Sequence, residues 1–261
     1  LVMDGRWQWR DAFQVDGTLQ GEGLSLDWGS IQARGLDGDL VLDWRQGQAP
    51  RIRSRAPLTL ANLDVGVPVT EVRMGVDTDL DQWCFEKISA QLLGGEVRAP
   101  GLRWPSSEWQ PVVLTGIELN QLAALQNEAV VSLTGEVGGY IPLRLAADSV
   151  AVRDGRLANE TPLSLALLPA AGTQAMAESN RAVSIALEAL NPLRVERFSA
   201  QVDMADDGWL DAAVHIRGTN PQRNGLPVVF NYTHKENVLE LLRSLRIGER
   251  ITDRVMTETR P

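Results

Sequence analysis

The feature that most constrains this chain is a period-two alternation of apolar and polar residues, in short runs punctuated by Gly and Pro. In residues 88–104, ISAQLLGGEVRAPGLRW, the pattern predicts a strand over 88–93 and a hairpin turn at Gly94-Gly95. A returning strand over 96–99 follows, with a break at Pro100-Gly101 before the next strand begins at Leu102. Gly-Gly supplies the positive φ angles that a two-residue hairpin needs. Residues 36–44 are cleaner still, with Leu36, Leu40, Leu42 and Trp44 on one face and Asp37, Asp39 and Asp43 on the other. Similar runs occupy 13–20, 24–28, 52–60 and 63–69, and Val72, Met74 and Val76 alternate with Arg73 and Asp77. Alternation of this kind marks strands buried on one face. No helical crossover separates these runs, which excludes a parallel α/β sheet.

Helical spacing is confined to three places. Residues 119–126 predict a short helix with Asn120 as its cap and Leu122, Ala123 and Leu125 turned to a core. Residues 174–190 predict a second, with Thr173 as cap, Asn191-Pro192 as terminator, and Met176, Val183, Ala186, Leu187 and Leu190 on one stripe. Between and after them the strand pattern resumes, at 130–137, 140–145, 149–152 and 162–168. A hairpin follows in which Phe198, Ala200, Val202 and Met204 share a face with Leu210, Ala212, Val214 and Ile216. A last strand, 228–232, precedes Thr233 and Glu236, a capping box for a third, amphipathic helix over the remaining residues.

Composition excludes whole classes of function. A net charge of −9 and a pI near 4.8 leave no concentrated Lys and Arg for nucleic acid or an anionic membrane surface. Cys84 is the only cysteine, so no internal disulfide forms. No run of about 18 or more apolar residues occurs. Leu1-Val2-Met3 begins in mid-pattern, so the chain reads as part of something longer with an anchor upstream. The chain has 8 Trp against 4 Phe and 2 Tyr, and they read as strand and core residues.

Catalytic and metal-binding constellations are missing. His215 falls on the polar face of a strand and His234 at an expected helix start, and no His/Cys cluster has zinc spacing. Gly21-Glu22-Gly23 lacks the third glycine of a dinucleotide loop, and neither a phosphate loop nor a nucleophile elbow occurs. Asp37, Asp39 and Asp43 read as a solvated strand face rather than glycosidase carboxylates. The expectation is no enzyme, no cofactor and no metal. One charged feature is ordered: Arg243, Arg246, Arg250 and Arg254 recur at helical spacing. They read as a solvated face beside Glu240 and Asp253, or as a contact for phosphate headgroups or an acidic partner segment.

The segments NYTHKENVLELLRSLRIGERITDRV, LLGGEVRAPGLRW and LTGIELNQLAALQ resemble the AsmA-like family of Gram-negative envelope proteins, over about residues 92–255. The resemblance implies a mainly β fold: an elongated antiparallel sheet curled into an apolar groove, the β-taco, with two short helical inserts and a C-terminal amphipathic helix. Residues 1–232 would be the end portion of that groove domain and 233–261 a helical segment. It further implies a periplasmic location with an inner-membrane anchor, and phospholipid acyl chains sliding along the groove between the two membranes. As partners it implies phospholipid, the outer-membrane lipoprotein YnbE joined by strand addition, and an associated protein, YdbL. A non-transporting structural or adhesive β-domain is the alternative, since a sheet apolar on one side can also cover itself by curling or by packing on another.

Within this reading, Leu40, Leu42, Val72, Met74, Val76, Phe198, Val202, Met204, Leu210, Val214 and Ile216 are expected to line the groove. Val228, Val229, Phe230, Asn231 and Tyr232 are expected to form the sheet edge to which a partner strand adds, because helical patterns alone follow them and Pro227 suits a strand start.

Overall fold

A computed structural model describes residues 1–9, 12–28, 31–124, 131–167 and 181–243. The strands come in chain order as β1 (Val2–Trp9), β2 (Phe13–Trp28), β3 (Ile31–Arg45), β4 (Arg51–Ser54), β5 (Leu58–Asp64), β6 (Pro68–Thr78), β7 (Trp83–Leu92), β8 (Gly95–Trp104) and β9 (Gln110–Glu118). Helix α1 (Leu119–Ala124) then leads to β10 (Val131–Thr134), β11 (Glu136–Leu145), β12 (Val150–Asn159) and β13 (Leu163–Leu167). Helix α2 (Arg181–Leu190) precedes β14 (Leu193–Met204), β15 (Trp209–Asn220) and β16 (Leu226–Asn237). All belong to one 16-stranded antiparallel sheet in which neighbours in sequence are mostly neighbours in space.

The register keeps one face apolar from end to end, because residues paired across strands project to the same side. Met3 pairs with Leu19, Leu19 with Leu40 and Trp7 with Val15. Leu60 pairs with Leu36 and Val72, and Ala90 with Val97. Ala200 pairs with Val214, and Ile216 with Phe198 and Phe230. Leu40, Leu42 and Met74 on this face are half-buried, while Val72 and Val76 are buried.

A line of irregularities crosses the strands and curls the sheet. Gly23 (φ 60°) interrupts β2 opposite Asp37, β4 and β5 divide the edge of β3 between them, and Glu71 (φ 51°) and Lys87 (φ 51°) interrupt β6 and β7. A bulge bends its strand and adds twist. It also switches parity: Val69 pairs with Leu63 before the bulge in β6, and Val72 with Leu60 after it. The result is an elongated sheet curled into a groove. The curl brings the β5–β6 turn against the helical segment 238–243, where Gly66 sits so close to Leu242 that a Cβ would lie 2.6 Å from its carbonyl oxygen.

Several local expectations shift. The hairpin turn before β8 is Leu93-Gly94 (φ 47° and 76°), with Leu92 paired to Gly95. Gly95 is in the strand because a Cβ there would meet the Thr115 carbonyl oxygen at 2.4 Å. Strand β8 runs through Pro100-Gly101 without a break. Helix α1 starts at Leu119, so Asn120 lies inside its first turn, and the Leu119 N–H donates to the Gly135 carbonyl. Residues 125–126 of that expected helix lie outside the described residues, as do Thr173 and 174–180 of the second.

The largest correction concerns the last helix. Strand β16 continues past Tyr232 to Asn237, so Thr233 and Glu236 are strand residues and form no capping box. The cap is Asn237, whose side-chain oxygen accepts from the Glu240 N–H at 3.0 Å. Thr is a strand former, and the ladder to β15 persists as far as the Trp209–Asn237 pair, so the sheet outcompetes the earlier cap.

The main core lies at the β14–β16 end, where Val202, Val214 and Ile216 pack with Ile117, Leu119, Val137, Leu163, Leu193 and Val195. Met204 is buried beside them, while Phe198 and Leu210 are half-buried. Leu193 is fully buried, so Leu193→Ala is expected to remove about 2–5 kcal/mol of stability, read as a lower urea midpoint with unchanged slope. Gly95→Ala is expected to shift the midpoint the same way, since the facing atoms are backbone and cannot yield.

Candidate functional site: a roofed apolar cavity

At its C-terminal end the sheet forks. Strand β14 pairs with β12 along 199–204 and with β13 along 193–195. Strands β13 and β10 pair with each other and leave the main sheet as a two-stranded flap. The flap and α1 form one wall of a cavity of about 460 Å³, and β14–β16 form the other. The lining is Leu119, Leu122 and Ala123 from α1, Leu133 from β10, Leu163 and Leu165 from β13, and Leu190 from α2. Val195 and Phe198 of β14, Ile216 of β15, and Phe230 and Tyr232 of β16 complete it. That volume falls in the range of ligand pockets, roughly 300–1,000 Å³.

Hydrogen bonds at the β15–β16 turn hold α2 in place over the cavity. Asn220, wholly buried, donates from Nδ2 to the Glu188 carbonyl at 3.0 Å, occupying a carbonyl at the helix end. Its Oδ1 accepts from the Gln222 N–H at 2.9 Å, and Arg223 pairs with the Glu188 carboxylate. Leu190, at the end of this clasped helix, is thereby placed over the cavity.

Among the described residues that line the cavity the one titratable group is the Tyr232 phenol, which burial pushes up from its ordinary value. The ring stacks on Phe230 with centroids 5.4 Å apart and is 43% exposed. An apolar body and a protonated hydroxyl at the opening make Tyr232 the polar handle of an otherwise hydrocarbon space. Such a lining can hold an alkyl chain. A second cavity of about 470 Å³, lined from β7, β8 and β9, mixes the charged Glu86, Lys87, Arg103 and Glu108 with Phe85, Leu102 and Trp109. Among the described residues no group of His, Cys, Asp or Glu could hold a metal ion, and no helix is long and apolar enough to cross a membrane.

Of the residues singled out in the sequence for the groove, the cavity gathers Phe198 and Ile216; Val202, Met204, Leu210 and Val214 stay on the same face outside it. It also takes Phe230 and Tyr232, which the sequence marked for their backbone edge, while Val229 projects from the other face and is 63% exposed. Val228 is half-buried against the main core, and Asn231 meets the His215 ring at 2.9 Å on the polar face. Helical spacing turns Leu122 and Ala123 to a core, and the fold brings them to Leu133, Leu163, Leu165, Leu190 and Val195, with which no sequence pattern connects them. The alternation of 131–134 and 163–167 marks strands, yet only the fork in the sheet brings those strands to α1. Arg243 is exposed on the helical segment 238–243; Arg246, Arg250 and Arg254 lie outside the described residues.

No solved structure matches this chain. A curated relative from Escherichia coli (strain K12), named a probable phospholipid transport protein YdbH, is 28% identical over 229 residues. The aligned region is 84% of this chain and 26% of that relative, so the chain spans about a quarter of the relative's length. Residues 1–260 match the YdbH-like family, described as intermembrane phospholipid transport protein YdbH, and the chain belongs to that family.

Proposed function

We propose that this chain is a segment of an intermembrane phospholipid carrier, in which the apolar face of the curled sheet takes acyl chains and the roofed cavity holds one at the C-terminal end. The observation that carries the reading is an apolar face continuous from strand to strand, in a chain whose residues 1–260 match a family described as an intermembrane phospholipid transport protein. A one-sided apolar surface of this length needs a cover, and alkyl chains are a cover that can move. In this reading the segment works in the periplasm as part of a longer protein anchored in the inner membrane. No step in it is catalytic.

Docking to an outer-membrane lipoprotein, YnbE on the resemblance above, would use the far edge of the sheet. Among the described residues β16 pairs with β15 alone, so its other side offers unpaired N–H and C=O groups to an added strand. Arg243, exposed just beyond, is available to a phosphate headgroup or to an acidic partner segment.

Native mass spectrometry of the purified chain is expected to detect bound phospholipid. Leu122→Arg, at a position 45% exposed on the cavity wall, is expected to lower the lipid-bound fraction several-fold without changing the circular dichroism spectrum, since a charge facing hydrocarbon costs several kcal/mol. A lipid-free wild-type chain would favour a purely structural sheet.

For docking, Val229→Pro and Phe230→Pro between them strike one N–H on each side of β16, because neighbouring residues in a strand point their amides oppositely. The variant whose missing amide faces outward is expected to lose the lipoprotein in co-purification while remaining folded. Val229→Ala is expected to retain it. Retention by both folded proline variants would rule this edge out.

A further inference from the structure

The tryptophans of this chain are not spread over the sheet. The turns joining β3 to β4, β6 to β7, β8 to β9 and β11 to β12 lie along one lip of the groove, and those joining β2 to β3, β5 to β6 and β7 to β8 along the other. Trp7, Trp9, Trp44, Trp83 and Trp104, five of the eight, stand at the strand ends of the first lip. Register puts all five on the apolar face: Trp7 pairs with Val15, which pairs with Trp44, and Trp9 pairs with Phe13. The row Leu42, Ile52, Thr78, Trp83, Trp104 continues across the strands. Trp109 and Trp209 stand at the same lip on the outer face, and only Trp28 ends a strand at the other. Toward that other lip the apolar face is aliphatic, with Leu36, Leu60, Leu63, Val69 and Leu92.

The indoles also have a direction. Trp44 Nε1 donates to the Gln48 carbonyl at 3.0 Å and Trp104 Nε1 to the Ala146 carbonyl at 2.9 Å, both acceptors in turns of the lip. Each N–H therefore points to the wet rim. Trp7 and Trp9 are 70% and 68% exposed, which is no core environment. Indoles gather in this way where an apolar phase meets water, as at the ester level of a bilayer.

We propose that the tryptophan lip is where the ester and headgroup region of a bound glycerophospholipid is held, with its acyl chains directed toward the aliphatic lip. This rests on the reading of the apolar face as a lipid track, and assigns the orientation of the cargo within it. The test is quenching of indole emission in the chain carrying Trp28→Phe, Trp109→Phe and Trp209→Phe, which leaves the five lip residues. Two phosphatidylcholines serve as probes, one with a nitroxide beside the ester and one with it at the chain end. Loss of most emission with the first and retention of most with the second is expected. Equal quenching, or stronger quenching by the chain-end probe, overturns the lip assignment alone. Failure of the chain to retain either lipid, scored by spin counting, overturns lipid carriage and the orientation with it. Should the triple variant not fold, the unmodified chain gives the same comparison, since five of its eight indoles stand on the apolar face at this lip.

Discussion

A sheet with one apolar face cannot leave that face to water, and every larger feature of this molecule answers that constraint. Apolar area costs about 25 cal/mol per Å² when exposed, and paired residues place apolar side chains side by side across strand after strand. A second sheet would solve the problem as a sandwich does, but here neighbouring strands extend one sheet instead. Most of the face is covered in two ways. Curling packs Leu36, Leu63 and Val69 over Ala33, Leu60, Val72 and Ala90. The forked flap with α1 and α2 roofs the C-terminal end. Toward β1 the face stays open, with Met3, Trp7 and Trp9 more than two-thirds exposed.

Bending so wide a sheet requires faults in its ladders, and the chain supplies them at glycines such as Gly23, Gly35 and Gly116 and also at residues that carry side chains. Glu71, Lys87 and Asp154 take positive φ, where a side chain is strained, yet each sits where its strand must turn. Asp154 is held there by a hydrogen bond from its own N–H to the Asp203 carboxylate at 2.8 Å. Where β8 and β9 part above their short ladder, Gln110 closes the gap. Its side chain accepts from the Arg103 N–H and donates to the Arg103 carbonyl, standing in for a missing strand partner.

This explains which parts of the fold were legible in the sequence. Alternation reports which residues share a face, so the β14–β15 hairpin appears with the same even-numbered set, Phe198 through Ile216. It does not report where parity switches, because a bulge at a non-glycine residue such as Lys87 leaves no compositional mark; hence the false break at Pro100-Gly101. Nor does it settle competition between cap and ladder. Thr233 with Glu236 and Asn237 with Glu240 are equally good caps, and only the length of the partner strand β15 decides between them. The cavity was least legible, since its walls meet through a fork in hydrogen bonding, a property of three strands together that none of them displays alone.

The kind of hold that such a face can exert follows from its chemistry. Burial of an alkyl chain is favourable in proportion to area and has no preferred direction, so a chain lying along one strand and stepping to the next, about 4.8 Å away, meets nearly the same free energy at each step. Hydrogen-bonding groups along the track would break that uniformity and trap the cargo, and polar side chains buried on the apolar face are few: Thr78, Gln110 and Asn220, with Gln110 and Asn220 both bonded to backbone. Directional contacts are instead available at the rim, through the indoles of one lip, and at the opening of the cavity, through the Tyr232 hydroxyl. An apolar floor that favours no position, joined to a polar rim that fixes orientation, separates sliding from alignment. The roofed cavity differs from both: in the proposed reading its walls on two sides would raise the buried area per chain, so that a chain would rest longest at the C-terminal end.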